Sequence, residues 1–381
     1  MGTLRSMRIA IVGGGILGTA HADEAIRRGH EVVHLEREPE ARGATVRNFG
    51  LVWVSGRAEH ELDAALRSRE LWADLAARVP AIGFRPAGSL TLLRTPEEVA
   101  VAEEVVARPD AATRGFTLLE PERVRAVNPA LRGKYLAGLH CTRDGAVESR
   151  ITLPAIRAHL ATSGRYTFHA STEAREITSD ATGVHIRDDH GRTFDADLAI
   201  VCPGAALGGL ARDLAGDLPL RRVRLQMMQT APLGEPLTTA IADGDSLRYY
   251  PGFAGDALEA LTSAQPQTPT AAAHRMQLLC VQRLHGGLTI GDTHEYDEPF
   301  DFDVDEAPYE HLTSVAEELL GRKLPHVVKR WAGVYSQHLD PGELVHRGQP
   351  AQNVWVVAGP GGRGMTLGPA LAEQTAEQLG L

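Results

Sequence analysis

Directly behind the apolar run Ile9-Ala10-Ile11-Val12 stands Gly13-Gly14-Gly15-Ile16-Leu17-Gly18, and no other stretch of the chain restricts the fold as tightly. Glycines at 13, 15 and 18 predict a sharp strand-to-helix turn, close approach of backbone to a pyrophosphate, and close packing of helix on sheet. The helix opening at Ile16 and Leu17 then turns unpaired N–H groups and the positive end of its dipole toward phosphates. A second apolar strand, Glu31-Val32-Val33-His34-Leu35, ends at Glu36, the spacing at which a carboxylate accepts hydrogen bonds from ribose hydroxyls. Arg37, next to the acid, reads as a solvated strand end or a further contact. These residues predict a dinucleotide site and leave NAD and FAD both open.

A length of 381 residues allows two domains with a well-buried core. A net charge of −10 without a clustered basic face argues against nucleic acid or an anionic membrane as partner. No apolar run approaches the length of a membrane span, and the first residues lack the apolar core of a signal peptide, so a cytoplasmic protein is expected. Cys141, Cys202 and Cys280 lie far apart in apolar surroundings, which predicts buried reduced thiols. The 16 histidines offer no His-x-x-x-His pair beside a suitable acid, so no metal site is expected.

The pattern predicts two interleaved domains rather than two blocks in series. Residues 1–84, 145–220 and 326–381 read as an α/β dinucleotide-binding domain of Rossmann type. Residues 85–144 and 221–325 read as an α+β substrate domain on an antiparallel sheet. Leu198-Ala199-Ile200-Val201-Cys202 is a fully apolar central strand running into Pro203-Gly204. In the second domain, strands are expected at Val223–Thr230, Leu247–Tyr250, Met276–Arg283 and Leu288–Gly291, with a helix at Tyr309–Leu320.

At the far end of the chain, strand Val354–Ala358 leads into a second glycine turn, Gly361-Gly362-Arg363-Gly364-Met365-Thr366, and another helix. Two such turns suggest one long ligand. A helix N-terminus aimed at a flavin ring stabilises negative charge on its reduced form, which favours FAD over NAD.

Gly13-x-Gly15-x-x-Gly18, Glu36, Gly43–Gly50, Trp331-Ala332-Gly333 and Gly364-Met365-Thr366-x-Gly368-Pro369 together resemble the D-amino-acid oxidase family of FAD-dependent oxidoreductases, of the glycine oxidase and sarcosine oxidase kind. Within it, Arg47-Asn48-Phe49-Gly50, Leu225–Met228 and Gly291–Tyr296 resemble a bacterial subgroup linked to aminophosphonate breakdown. The resemblance implies a glutathione-reductase-like FAD domain and FAD held without a covalent bond. It lays Ala44, Thr45, Arg47, Asn48, Phe49 and Gly50 along the ribityl chain and ring. It brings Ala174 to the adenine, Pro203 and Gly204 to the adenosine half, and Gly333, Gly361, Gly362, Arg363, Gly364, Met365 and Thr366 to the flavin end. The reaction implied is oxidation of a C–N bond in a small amine, with oxygen or another acceptor taking the electrons.

The chain departs from that pattern where glycine oxidase-like members carry a carboxylate-gripping arginine, since Tyr335 stands there and supplies no charge. Thr289 falls where sarcosine oxidases place an oxygen-activating lysine, so reoxidation by oxygen needs another cation: Arg363, Arg47 or His294. Arg363, Tyr335 and His294 are the catalytic candidates. Arg248, Tyr250, Trp53, Gln226 and His338 are the substrate-binding candidates, with at most one of Tyr249 and Tyr250 facing the pocket if the two alternate along a strand. A phosphonate suits several cationic donors, for which Arg248, His294 and Arg363 are available. Two further readings remain. A 2-hydroxyacid dehydrogenase on the same fold would use His294 or His338 as base. Glycine, sarcosine or D-amino-acid oxidation would follow the family pattern without its arginine.

Overall fold

The computed structural model describes residues 6–381. Arg8–Val12 forms the middle of a six-stranded sheet, flanked by Leu198–Val201 on one side and Glu31–Leu35 on the other, with Ile9 opposite both Leu198 and Val32. Tyr166–His169 adds the parallel edge beyond Glu31–Leu35. Val354–Ala358 and its antiparallel hairpin partner His346–Ala351 complete the opposite side. Alternation along the central strand decides what each face meets. Ile9 and Ile11 pack under the helices Ile16–Arg27, Glu59–Arg78, Thr152–Ala161 and Gly364–Leu379, whereas Ala10 joins Val33, Ala199 and Val201 against a small antiparallel sheet of residues 174–196. All four residues of Leu198–Val201 are buried, as a strand covered on both faces requires.

The second layer is an eight-stranded sheet. Its order runs Val327–His338, Leu220–Pro232, Gly287–Gly291, Leu279–Gln282, Ala240–Ala242, Ser89–Leu93, Ala137–Cys141 and Phe116–Leu119. It is antiparallel except where Ala240–Ala242 runs parallel to Ser89–Leu93. The helix Glu306–Leu320 covers one face, through Tyr309, Leu312, Val315 and Leu319. The other face carries Phe49, Trp53, Tyr250 and Tyr335 and looks toward the first layer.

Four expectations shift. Leu247–Tyr250 is not a strand: Asp245–Tyr249 is a short helix, turned by the Ser246 and Leu247 N–H groups donating to the Asp243 and Gly244 carbonyls. The strand expected over Met276–Arg283 begins only at Leu279, because the Leu278 N–H is taken by the Asp243 carboxylate. Val327–His338, grouped by sequence with the dinucleotide domain, pairs along its length with Leu220–Pro232 and so lies in the eight-stranded sheet. The helix at 309–320 starts one turn earlier, at Glu306.

Candidate active site

A single cavity of about 1140 Å3 runs from the N-terminal glycine turn to the aromatic face of the eight-stranded sheet. Ordinary ligand pockets hold ~300–1,000 Å3, so this one has room for an extended dinucleotide and a small substrate. At its first end the three fingerprint glycines differ in what confines them. Gly13 has φ +111°, and a Cβ there would stand 2.3 Å from the Cys202 carbonyl oxygen. A Cβ on Gly18 would stand 1.9 Å from the Gly13 carbonyl oxygen. One on Gly15 would meet nothing closer than Thr45 Oγ1 at 3.4 Å, so that position is open on the side of the cavity.

The turn is braced from beneath and beside. His34 Nε2 lies 2.9 Å from the Gly13 carbonyl and Nδ1 2.9 Å from the Tyr166 hydroxyl. A carbonyl only accepts, so Nε2 carries the proton and Nδ1 accepts from the tyrosine. Burial pushes this histidine's pKa down to about 4, which keeps that tautomer neutral. Glu36 accepts from the Gly14 N–H at 2.6 Å and the Glu38 N–H at 3.0 Å while facing the cavity. Each carboxylate oxygen keeps a lone pair for a ribose hydroxyl. Ile16 N–H donates to Thr45 Oγ1 at 3.0 Å, tying segment 43–50 to the start of the helix.

The second glycine turn meets the first. Ile16 Cγ1 lies 3.0 Å from where a Gly368 Cβ would be, and Ile16 Cγ2 3.6 Å from the same point on Gly364, so the two helix N-termini share one wall. Thr366 Oγ1 accepts from the Trp53 N–H at 2.9 Å, and the Trp72 indole donates to the Met365 carbonyl at 2.8 Å. A glycine cradle, two helix N-termini and an acid at the ribose position fit FAD, by residues that no small anion would need. The remaining candidates for that group, Arg37, Ala44, Thr45, Arg47, Asn48, Phe49, Ala174, Pro203, Gly204, Gly333, Gly361, Gly362 and Arg363, also line the cavity. Gly50 does not. Its φ of +74° and a Cβ position 2.1 Å from the Val147 carbonyl oxygen give it a packing role. Arg47 bridges the layers, donating to the Arg42 carbonyl at 2.7 Å and the Ala332 carbonyl at 2.7 Å.

The substrate candidates divide. Trp53, Tyr250, His294 and Tyr335 line the far end of the cavity. Arg248, Gln226 and His338 do not, and each is held elsewhere. The Arg248 guanidinium binds Asp245, Thr262 and the Gln265 carbonyl. Gln226 alternates with Leu225 and Met227, which take the cavity face, and its Oε1 accepts from the Asp305 N–H at 2.9 Å on the other side. The His338 ring folds onto the Asp340 backbone beside His346. Because Tyr249 ends a helix rather than sitting in a strand, it and Tyr250 both line the cavity, and Tyr249 stacks on His294 at 4.1 Å. Burial raises the pKa of the Tyr250 and Tyr335 hydroxyls, so both stand there as neutral donors. Arg363 lines the cavity with its donors engaged by the Pro360 carbonyl, the Glu343 carbonyl and Glu61. Burial alone would raise the Glu61 pKa, but Arg57 and Arg363 outweigh it and hold the carboxylate ionised.

Sequence reasoning missed Arg57, Gln277 and Asp292, all on the cavity wall. It also missed Arg283, whose buried guanidinium donates to Thr289 Oγ1 at 2.8 Å and to the carbonyls of Asn48 and Phe49, both at 2.8 Å. Burial lowers its pKa to about 10, still well above neutrality, so a fixed cation lies behind segment 43–50. A signal existed in Asp292, inside the Gly291–Tyr296 run, but nothing in the sequence turns it toward the pocket. The three cysteines are buried and free, with thiol pKa values raised by burial. Among the described residues no cluster of metal-ligating side chains occurs, and no helix is long and apolar enough to cross a membrane.

The fold and the two-ended cavity define a flavin-binding oxidoreductase. The family described as FAD dependent oxidoreductase matches residues 8–378, and the chain belongs to it, with FAD as its cofactor. Glycine oxidase of Geobacillus kaustophilus is 29% identical over 254 residues, 61% of this chain and 64% of that protein. The matched stretch is thus under two thirds of that relative's length. The crystal structure of glycine oxidase from the same organism superposes with a TM-score of 0.76 at 22% identity, covering 98% of this chain and 94% of the other. A dithionite-reduced L-alpha-glycerophosphate oxidase from Mycoplasma pneumoniae, with FAD bound, superposes with a TM-score of 0.75 at 14% identity, covering 99% and 96%.

Proposed function

We propose that the protein oxidises the C–N bond of a small amine that also carries an acid group, an aminophosphonate such as 2-aminoethylphosphonate or its N-methyl form. The observation that carries this reading is the far end of the cavity. Tyr335, which the family resemblance sets at the place of the usual carboxylate-gripping arginine, lines it, and so do a buried arginine, Arg57, and a buried carboxylate, Asp292. Bound FAD supplies the two-electron chemistry.

The protein's own part is binding, orientation and exclusion of water. Trp53, Tyr249, Tyr250 and Tyr335 wall the chamber with aromatic surface that leaves little room for solvent around the reacting carbon. The substrate amine must be neutral when its carbon loses hydride, and Asp292 is positioned to take a proton from an ammonium group at its Oδ atoms. The N-terminal N–H groups of Gly364–Leu379 offer fixed positive ends toward charge that accumulates at that end of the cavity. The cytoplasmic setting and the choice between oxygen and another acceptor belong to the same proposal. Arg283, which donates to Thr289 and to the Asn48 and Phe49 carbonyls behind the cavity wall, is a buried cation available to a reaction with oxygen.

Oxidation of a hydroxy acid has one observation in its favour, the His294 Nε2–Asp292 Oδ2 approach of 3.8 Å, which is an acid–base pair in waiting. Incubating the purified protein with 2-aminoethylphosphonate, its N-methyl form, glycine, sarcosine, D-alanine and 2-hydroxyglutarate, and assaying carbonyl product and released amine, separates the readings. One carbonyl and one amine per substrate from a phosphonate supports the proposal. Product from 2-hydroxyglutarate alone overturns it.

A further inference from the structure

Three buried polar atoms on the cavity wall have no partner among the described residues: Arg57 Nε, Trp53 Nε1 and Gln277 Oε1. All three gather round one ring. The Arg57 guanidinium lies 5.4 Å from the Tyr250 centroid, the Trp53 ring 6.0 Å from it, and Gln277 Nε2 donates to the Tyr250 hydroxyl at 3.2 Å. Gly56 lets that ring lie against backbone, since a Cβ there would stand 2.5 Å from Tyr250 Cγ. Burying a polar atom unpaired is costly, and a correctly charged ligand removes that cost.

The groups around the ring differ in charge. Arg57 is 5% exposed, its side chain makes no hydrogen bond among the described residues, and Glu61 Oε2 stands 3.8 Å away. Glu61 is already engaged by Arg363 and by the Ala58 N–H at 2.9 Å. Two arginines sharing one carboxylate leave a net positive charge at this wall. At the hydroxyl end, Asp292 Oδ1 lies 3.5 Å from Gln277 Nε2, and the carboxylate's only ion-pair neighbour among the described residues is His294. Two orphaned donors, one of them cationic, thus stand beside this ring, and an orphaned acceptor beside a carboxylate stands at its hydroxyl.

We propose that these groups form one recognition site: Arg57 and the Trp53 indole N–H take the acid head of the substrate, and Asp292 with Gln277 Oε1 takes its ammonium group. Such a site selects zwitterions whose charges lie at opposite ends of a short chain, the ω-aminophosphonates and ω-amino acids. It disfavours α-amino acids, whose two charges share one carbon. The inference rests on the reading that a small acid-bearing amine enters this chamber, and it names the groups that choose it.

Unreactive half-ligands test the site apart from the reaction. Ethylphosphonate has no amine, and tert-butylamine has no hydrogen on the carbon next to nitrogen, so neither is oxidised at a C–N bond. Calorimetric titration of the holoenzyme is expected to show Arg57→Gln weakening ethylphosphonate at least tenfold, about 1.4 kcal/mol, with tert-butylamine little changed. Asp292→Asn is expected to do the reverse, and propionate to bind at the Arg57 end more weakly than ethylphosphonate. Equal binding of ethylphosphonate by parent and Arg57→Gln, or of tert-butylamine by parent and Asp292→Asn, overturns the assignment. So does a parent that binds neither probe at millimolar concentration. Should Arg57→Gln fail to give holoenzyme, Arg57→Lys keeps the charge, loses the planar fork, and carries the same comparison. Product formation without this crossed pattern would reject the site and leave the reaction standing, and the crossed pattern without product would do the opposite.

Discussion

Gly15 and Gly18 belong to the same fingerprint, yet alanine at each should fail in a different way. At Gly18 the new Cβ would sit 1.9 Å from the Gly13 carbonyl oxygen, and 3.2 Å from Ile11 Cγ2, so backbone has to move. Overpacking a rigid core costs about 1–3 kcal/mol, and a backbone contact places this change at the upper end. At Gly15 the φ of −73° suits alanine, and the nearest neighbour is Thr45 Oγ1 at 3.4 Å. The methyl group then projects where a pyrophosphate must approach the helix N-terminus. Gly15→Ala should therefore keep the apoprotein's melting temperature within a degree or two, while weakening FAD at least tenfold, about 1.4 kcal/mol. Gly18→Ala should lower the melting temperature of the apoprotein itself by several degrees. Circular-dichroism melts of the apoproteins and FAD titration by quenching of flavin fluorescence read the two effects separately. Tight FAD binding by Gly15→Ala, or a parent-like melt for Gly18→Ala, would refute the division of roles.

The remaining predictions concern pH and charge. His21 and His34 are buried with pKa values lowered from 6.5 to about 4, burial being the main cause in each. A folded value below the unfolded one means that their stabilisation is complete above pH 6.5 and is lost as pH falls toward 4. Each contributes on the order of 3 kcal/mol at neutrality. His34→Gln, which keeps a donor for the Gly13 carbonyl, should flatten that acid limb in urea melts run between pH 4 and 7; an unchanged limb would count against it. Arg363→Gln releases Glu61 and should slow anaerobic flavin reduction by tenfold or more with a smaller loss of FAD retention, and equal reduction rates for variant and parent would dismiss the role. Gln226→Leu or His338→Gln, both outside the cavity, should leave substrate KM within about twofold of the parent.

Positions where geometry dictates residue type were readable in advance. Gly13 and Gly18 must be glycine because a carbonyl oxygen occupies the place of their Cβ, and Glu36 follows from the strand that ends beside them. The second glycine turn was readable from its place between an apolar strand and a helix, and Ile16, which packs against Gly364 and Gly368, shows why the two turns act together. The far end of the cavity was not, because it is assembled from segments far apart in the sequence, Trp53 and Arg57 on one side and Tyr250, Gln277 and Asp292 on the other. Nothing in the sequence marks Arg57, ahead of a helix, or Gln277, inside the strand expected over Met276–Arg283, until Tyr250 brings them together. Arg248 and Tyr249 were misplaced because a five-residue helix has too little length to show a period. Gln226 failed on register alone: one step along the same strand, Leu225 and Met227 face the cavity.

The visible spectrum of the purified protein, followed anaerobically as 2-aminoethylphosphonate or its N-methyl form is added, tests the central claim most directly. The account predicts flavin bands in the resting protein and their bleaching by one of these amines, with glycine and D-alanine far slower at the same concentration. A protein without flavin bands, or one bleached by 2-hydroxyglutarate and by no amine, would contradict it.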